Sequence, residues 1–160
     1  MFYDVIHSPI GKLLLRSEDR ALSGLAFLDE PFADRTGWVR DPARFASWAR
    51  QLGEYFAGGR KRFDGDIAMA GTDFQRRVWT ELRRIPYGRT ASYGDIAQRI
   101  GCPRAVRAVG LANKRNPIAI VVPCHRVIGA DGSLTGYGGG LERKRFLLRL
   151  EACGADARST

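Results

Sequence analysis

Residues 120–129, IVVPCHRVIG, set a thiol and an imidazole side by side, Cys124 and His125, after a β-branched run and a proline. A thiolate is a strong nucleophile and a soft metal ligand, and a neighbouring imidazole can take its proton. Taken alone, these residues leave three roles open: a nucleophile with its base, a metal ligand, or a buried cysteine packed as a small hydrophobe. The apolar run predicts that the pair ends a buried strand. Successive side chains of a strand point to opposite faces, so the ring would meet the thiol through a water and would need a third group to orient it. Metal binding finds little support. The chain has two histidines, His7 and His125, and three cysteines, Cys102, Cys124 and Cys153, at spacings of 22 and 29. That pattern suits neither a CxxC-type site nor a disulfide framework, so reduced thiols and no metal are expected.

The elements that must hold this pair are legible in outline. The first third alternates short apolar stretches, FYDVI, GKLLLRS and LSGLAFL, with Gly, Asp and Ser turns, as a strand meander does. Phe45, Trp48, Leu52, Tyr55 and Phe56 then recur at helical spacing up to Gly58 and Gly59, and RFDGDIAM is expected to add a strand. From Thr72 the pattern turns helical. Thr72 and Gln75 have capping-box spacing ahead of Phe74, Val78, Leu82 and Ile85. Ser92 caps a second helix, with Asp95 three residues on and Gly101 as its breaker; Pro103 suits the first turn of a third, running to about Lys114. Helix, tight turn and helix across 92–114 have helix-turn-helix spacing. A last helix, LERKRFLLRLE, carries Leu141, Phe146, Leu147 and Leu150 as its apolar residues.

Charge is segregated along this layout. Residues 1–71 carry 10 basic and 10 acidic side chains, whereas 72–151 carry 15 and 6, so the whole net charge of +9 lies in the second half. A basic half facing a polyanion gains affinity by releasing counterions. Within it, Arg104, Arg107 and Lys114 form a basic stripe, and Ala105, Ala108, Gly110 and Ala112 leave room for a backbone to come close. With no Asn or Gln in the first turns to read adenine, the stripe predicts contact that is largely independent of base sequence, in the minor groove of DNA. The longest apolar run, IAIVVP, is too short to cross a bilayer, and the N-terminus lacks a signal-peptide pattern, so a soluble cytoplasmic protein is expected.

The stretch RAVGLANKRNPIAIVVPCHRVIGADGSLTGYGGGLERKRFLLRLE, with IPYGRTASYGDIA and GTDFQRRVW, resembles the O6-alkylguanine-DNA alkyltransferases, the direct-reversal DNA repair proteins. The likeness is dense from Thr72 to Glu151 and loose before it. It implies a mixed α/β (α+β) chain with a ribonuclease H-like N-terminal domain over residues 1–70. Residues 71–160 would form a helical, winged-helix-like C-terminal domain that binds DNA and performs the transfer. The implied activity is the irreversible, single-turnover transfer of an alkyl group from O6-alkylguanine, and from O4-alkylthymine, to Cys124 of the protein itself. The implied partner is double-stranded DNA bound by a monomer, with cooperative binding along the duplex left open and no cofactor or membrane involved.

By the same resemblance, His125 removes the thiol proton through a water, Glu151 orients His125, and Asn116 buttresses the surrounding turn. Tyr93 would donate to the guanine ring and press on a flanking phosphate. The Cys124 and Val127 backbones would accept from the exocyclic amine, while Tyr137 and the Gly138 backbone would line the O6 side. Arg107 would fill the stack vacated by the flipped base; Gly94, Arg104, Ala105, Ala108, Gly110 and Lys114 would meet the DNA. Rivals of other classes are a lesion-binding sensor without chemistry, which would lack Cys124, a plain helix-turn-helix regulator, which would have no use for Cys124, His125 and Glu151, and a Cys-His hydrolase, which would turn over.

Overall fold

Strands β1 (Phe2–Ser8) and β2 (Gly11–Ser17) pair antiparallel along their whole length. The SPIG turn joins them: Ser8 Oγ donates to the Gly11 carbonyl at 2.6 Å, and Gly11 takes φ +116°, a backbone conformation that costs a side-chain-bearing residue strain. Along β2 the period of two puts Leu13 and Leu15 into the core. Strand β3 (Gly24–Leu28) joins the other edge of β2, completing the expected meander. A two-residue strand that the pattern does not announce, β4 (Val39–Arg40), runs parallel to β1, giving the order β3-β2-β1-β4.

The computed structural model describes residues 1–156 and divides the chain into two units, the first being Met1–Met69. In that unit, helix α1 (Ala46–Phe56) buries Trp48, Leu52 and Tyr55 with Phe45 from the preceding turn. The expected strand over RFDGDIAM is reduced to one bridge, Leu22 with Ile67. Gln51, buried on α1, explains this: its side chain accepts from the Asp64 amide and donates to the Asp64 carbonyl, both at 2.7 Å. Those backbone groups are therefore not free for a sheet ladder.

The second unit, from Ala70, is mainly helical. Helix α2 (Asp73–Leu82) and helix α3 (Tyr93–Arg99) both start at complete capping boxes, Thr72 with Gln75 and Ser92 with Asp95. α3 closes in a Schellman motif: Gly101 at φ +77° donates to Gln98, and Cys102 donates to Ala97. That ending displaces the next helix. Instead of starting at Pro103, helix α4 (Val106–Lys114) follows a turn in which the Ala105 amide donates to the Cys102 carbonyl. Strands β5 (Ala91–Ser92) and β6 (Val127–Ile128) pair in parallel beside these helices.

Helix α5 (Leu141–Asp156) does not bury all of its apolar residues. Leu141 and Phe146 are exposed, whereas Lys144, Leu147 and Glu151, one helical face, are buried. Among the described residues, no helix is long and apolar enough to cross a membrane.

Candidate active site

The run before Cys124 is folded as turns, and Cys124–Arg126 form a single 3-10 turn in place of the expected strand end. Asn116 organises the preceding bend. Its Nδ2 donates to the Val122 carbonyl at 2.7 Å and its Oδ1 accepts from the Ile118 amide at 3.0 Å. Between those two anchors Ile120 sits at φ +71°, a left-handed conformation that costs a β-branched residue about 1–3 kcal/mol. A strained bend gripped at both ends thus delivers Cys124 into the interior. From α4, Asn113 Nδ2 donates to the Cys124 carbonyl at 3.3 Å.

His125, fully buried, brings its Nε2 to 2.6 Å from Glu151 Oε2 on α5. Arg126 meets the same carboxylate through Nε, 2.7 Å from Oε1, and through one terminal nitrogen, 3.2 Å from Oε2; its other terminal nitrogen donates to the Ile85 carbonyl at 2.7 Å. Burial raises the pKa of Glu151, but the hydrogen bonds from His125 and Arg126 and the charge of Arg126 outweigh it and bring it down to about 2. An ionised carboxylate only accepts, so His125 Nε2 carries the hydrogen. Burial pushes the imidazole pKa down against the pull of Glu151, so the ring is neutral and Nδ1 is left with its lone pair. Nδ1 has no hydrogen-bond partner among the described residues. The thiol beside it is 5% exposed, and burial raises its pKa, opposed by the Asn116 amide and the Lys144 charge. Chemically, this is a protonated nucleophile next to a neutral, oriented base.

The remaining expected contacts fall into two groups. Around the thiol, Tyr137 is buried in the glycine-rich loop, with its hydroxyl pKa pushed well up by burial. Gly138 lies exposed in the same loop. Tyr93 Oη donates to the Thr135 carbonyl at 2.8 Å. Lys144 Nζ donates to that carbonyl at 3.0 Å and to the Val127 carbonyl at 2.5 Å, which ties the loop to β6. On α4 and its leading turn, Arg104, Arg107, Ala108 and Lys114 are exposed on the outer face, Ala105 and Gly110 are half-buried, and Gly94 on α3 is half-buried too. A Cβ added at Gly110 would meet the Tyr93 ring at 3.8 Å, an ordinary van der Waals contact. Sequence reasoning missed Arg126 and Lys144. The spacing of Lys144, Leu147 and Glu151 on one helical face was the available signal for the lysine, while nothing local marks Arg126 as buried. Among the described residues no cluster of His, Cys, Asp and Glu could hold a metal ion.

Comparison with known proteins identifies relatives that match nearly the whole chain. The family model for the 6-O-methylguanine DNA methyltransferase DNA binding domain matches residues 73–153, and that for the ribonuclease-like domain of the same proteins matches residues 1–68. A methylated-DNA–protein-cysteine methyltransferase from Mycolicibacterium paratuberculosis is 57% identical over 93% of this chain and 91% of its own. One from Methanosarcina barkeri is 53% identical over 94% and 97%. The crystal structure of Mycobacterium tuberculosis OGT in complex with DNA matches with a TM-score of 0.90 at 55% identity, over 96% of this chain and 94% of that one.

Proposed function

The chain belongs to the 6-O-methylguanine DNA methyltransferase family, and we propose that it repairs DNA inside the cell by moving the alkyl group of O6-alkylguanine, and of O4-alkylthymine, onto Cys124 Sγ. Residues 71–160 carry both the DNA contacts and the chemistry. The observation that carries this assignment is the buried thiol beside a histidine whose Nε2 is held by Glu151 at 2.6 Å, so that only Nδ1 can accept a proton.

A target base inside a duplex is out of reach, and extruding it costs a few kcal/mol. Arg104 and Lys114 bind phosphates from the minor groove, Ala105, Ala108, Gly110 and Gly94 let the backbone close in, and Arg107 fills the space left in the stack. A monomer suffices for this. In the pocket the Cys124 and Val127 carbonyls accept from the exocyclic amine of the base, while Tyr137 and the Gly138 backbone flank O6. Tyr93, now donating to Thr135, turns its hydroxyl to the ring.

The Cys124 proton passes through a water to His125 Nδ1, sulfur attacks the alkyl carbon, and the carbon–oxygen bond breaks. The base departs with its charge dispersed by hydrogen bonds and recovers a proton from the site. Ionising an ordinary thiol completely would gain only about 30-fold, or about 2 kcal/mol. Burial makes His125 more necessary here, because it holds the resting thiol protonated. Most of the acceleration comes from alignment of carbon and sulfur and from stabilising the leaving base. The product is a thioether with no carbonyl for water to attack, so each molecule acts once.

Mass spectrometry after incubation with O6-methylguanine DNA tests this. One methyl per chain on the Cys124 peptide, absent in Cys124→Ala, is expected. Clearance of many equivalents, or binding without any mass gain, would overturn it.

A further inference from the structure

His125 stands 2.6 Å from an ionised carboxylate in a buried site. An imidazole so placed tends to become imidazolium, since the opposite charge stabilises its protonated form. Imidazolium carries hydrogen on both nitrogens and has nothing with which to accept the Cys124 proton. Burial is the first obstacle to that protonation, and a cation held on Glu151 would add a second by weakening the pull of the carboxylate.

Arg126 is placed to do so. Its guanidinium meets both Glu151 oxygens, at 2.7 and 3.2 Å, and is locked in plane by the Ile85 carbonyl at 2.7 Å, with the arginine side chain 8% and the glutamate 1% exposed. We propose that Arg126 is a positioning residue of alkyl transfer: its two-point ion pair neutralises Glu151 and thereby keeps His125 an uncharged proton acceptor. This inference rests on His125 acting as the base.

The charges around the imidazole support it. Glu151 and Lys144 face it from α5, Arg126 from the next residue of its own turn, and Cys124 from the residue before. Tyr87, above the Arg126 guanidinium, and Tyr137 in the glycine-rich loop both have raised pKa values and stay neutral. With Arg126 present, protonating His125 would add a charge to a site where two cations already answer one anion. Without it, Glu151 and Lys144 balance each other, and the obstacle to imidazolium shrinks. Lysine at 126 would keep the charge but could not span both carboxylate oxygens and the Ile85 carbonyl at once.

The chain has only two histidines, so imidazole NMR resolves His125 against His7 alone. In Arg126→Met the His125 titration is expected to rise by about 1–3 units. Methyl transfer at pH 6 should then fall about tenfold or more relative to wild type, with the two rates converging near pH 9. Arg126→Lys should shift the titration in the same direction by less, and it carries both readouts if the methionine variant does not fold. An unmoved His125 titration, with transfer reduced by one factor at every pH, would make Arg126 merely structural and overturn the inference. Because the titration is read without substrate, its outcome is separate from whether wild type takes up methyl at all.

Discussion

In the N-terminal unit the pair of Arg40 with Asp4 joins two strands at 3.1 Å, and the arginine side chain is 61% exposed. In the C-terminal unit Arg126 and Glu151 pair at 2.7 Å, almost wholly out of water. The surrounding cores differ in the same way. Leu13, Leu15, Leu25, Trp48 and Leu52 dominate the first, which also buries Asp4, Ser17 and Gln51, whereas the second gathers Asn113, His125, Arg126, Lys144 and Glu151 alongside its apolar residues. Asp4 itself is 8% exposed, but removing its charge leaves an arginine that water can still solvate, so the pair can be lost cheaply. A desolvated pair cannot be half-removed, because the survivor is left charged in a poor solvent. The polar interior of the second unit is thus a cost to folding that coincides with the site of chemistry, while the first unit buries its few polar residues, Asp4, Ser17 and Gln51, on separate elements.

Glu151→Gln should break this contrast most severely. It strands the Arg126 charge, and a loss of about 3–5 kcal/mol in denaturant unfolding is expected, together with loss of methyl transfer. The same variant should flatten the acid limb of stability. With its pKa held at about 2, Glu151 stays ionised in the folded chain while its unfolded counterpart takes up a proton near pH 4.3. Its contribution, about 3 kcal/mol, is present above that pH and is lost as pH falls towards 2. Neutral His125 acts in the same sense from about pH 6.5 downward, since the unfolded ring protonates first. Stability of wild type against urea between pH 7 and pH 3 should therefore fall more steeply than that of the variant. Arg104→Ala tests an exposed charge of the same unit. It should leave unfolding within about 0.5 kcal/mol of wild type. It should also lower the salt dependence of DNA affinity, d log K/d log[salt], by about 1. Asp4→Asn is expected to be smallest, under about 1 kcal/mol and without effect on transfer; a larger loss would remove the distinction between the two units.

Part of this was legible in the chain. Both capping boxes, the glycine stop at Gly101 and the α1 stripe are local codes, satisfied within a few residues, and they stand where their spacing puts them. Three features were not. IAIVVP looks like a strand because β-branched runs favour one, but the Asn116 side chain claims the Ile118 amide and the Val122 carbonyl and bends the segment instead. RFDGDIAM looks like a strand too, until Gln51 takes up the Asp64 backbone. On α5 Leu147 is buried as its type suggests, but Leu141 and Phe146 are exposed while Lys144 and Glu151 take interior places. The Asn116 bend is a short-range device that no periodicity announces, whereas Gln51 and the buried charges of α5 act on partners more than a dozen residues away.

The amino-acid sequence by itself determined where the helices of the second half begin, where its charge lies and which sulfur is the candidate nucleophile, because each of these depends on neighbours a few residues away. Only the tertiary structure decided that His125 is neutral, that its free nitrogen is Nδ1, and that a lysine and an arginine are interior residues. Protonation and burial depend on the dielectric and the charges brought together from α5, the 3-10 turn and the loop after α2, and no stretch of chain contains that sum.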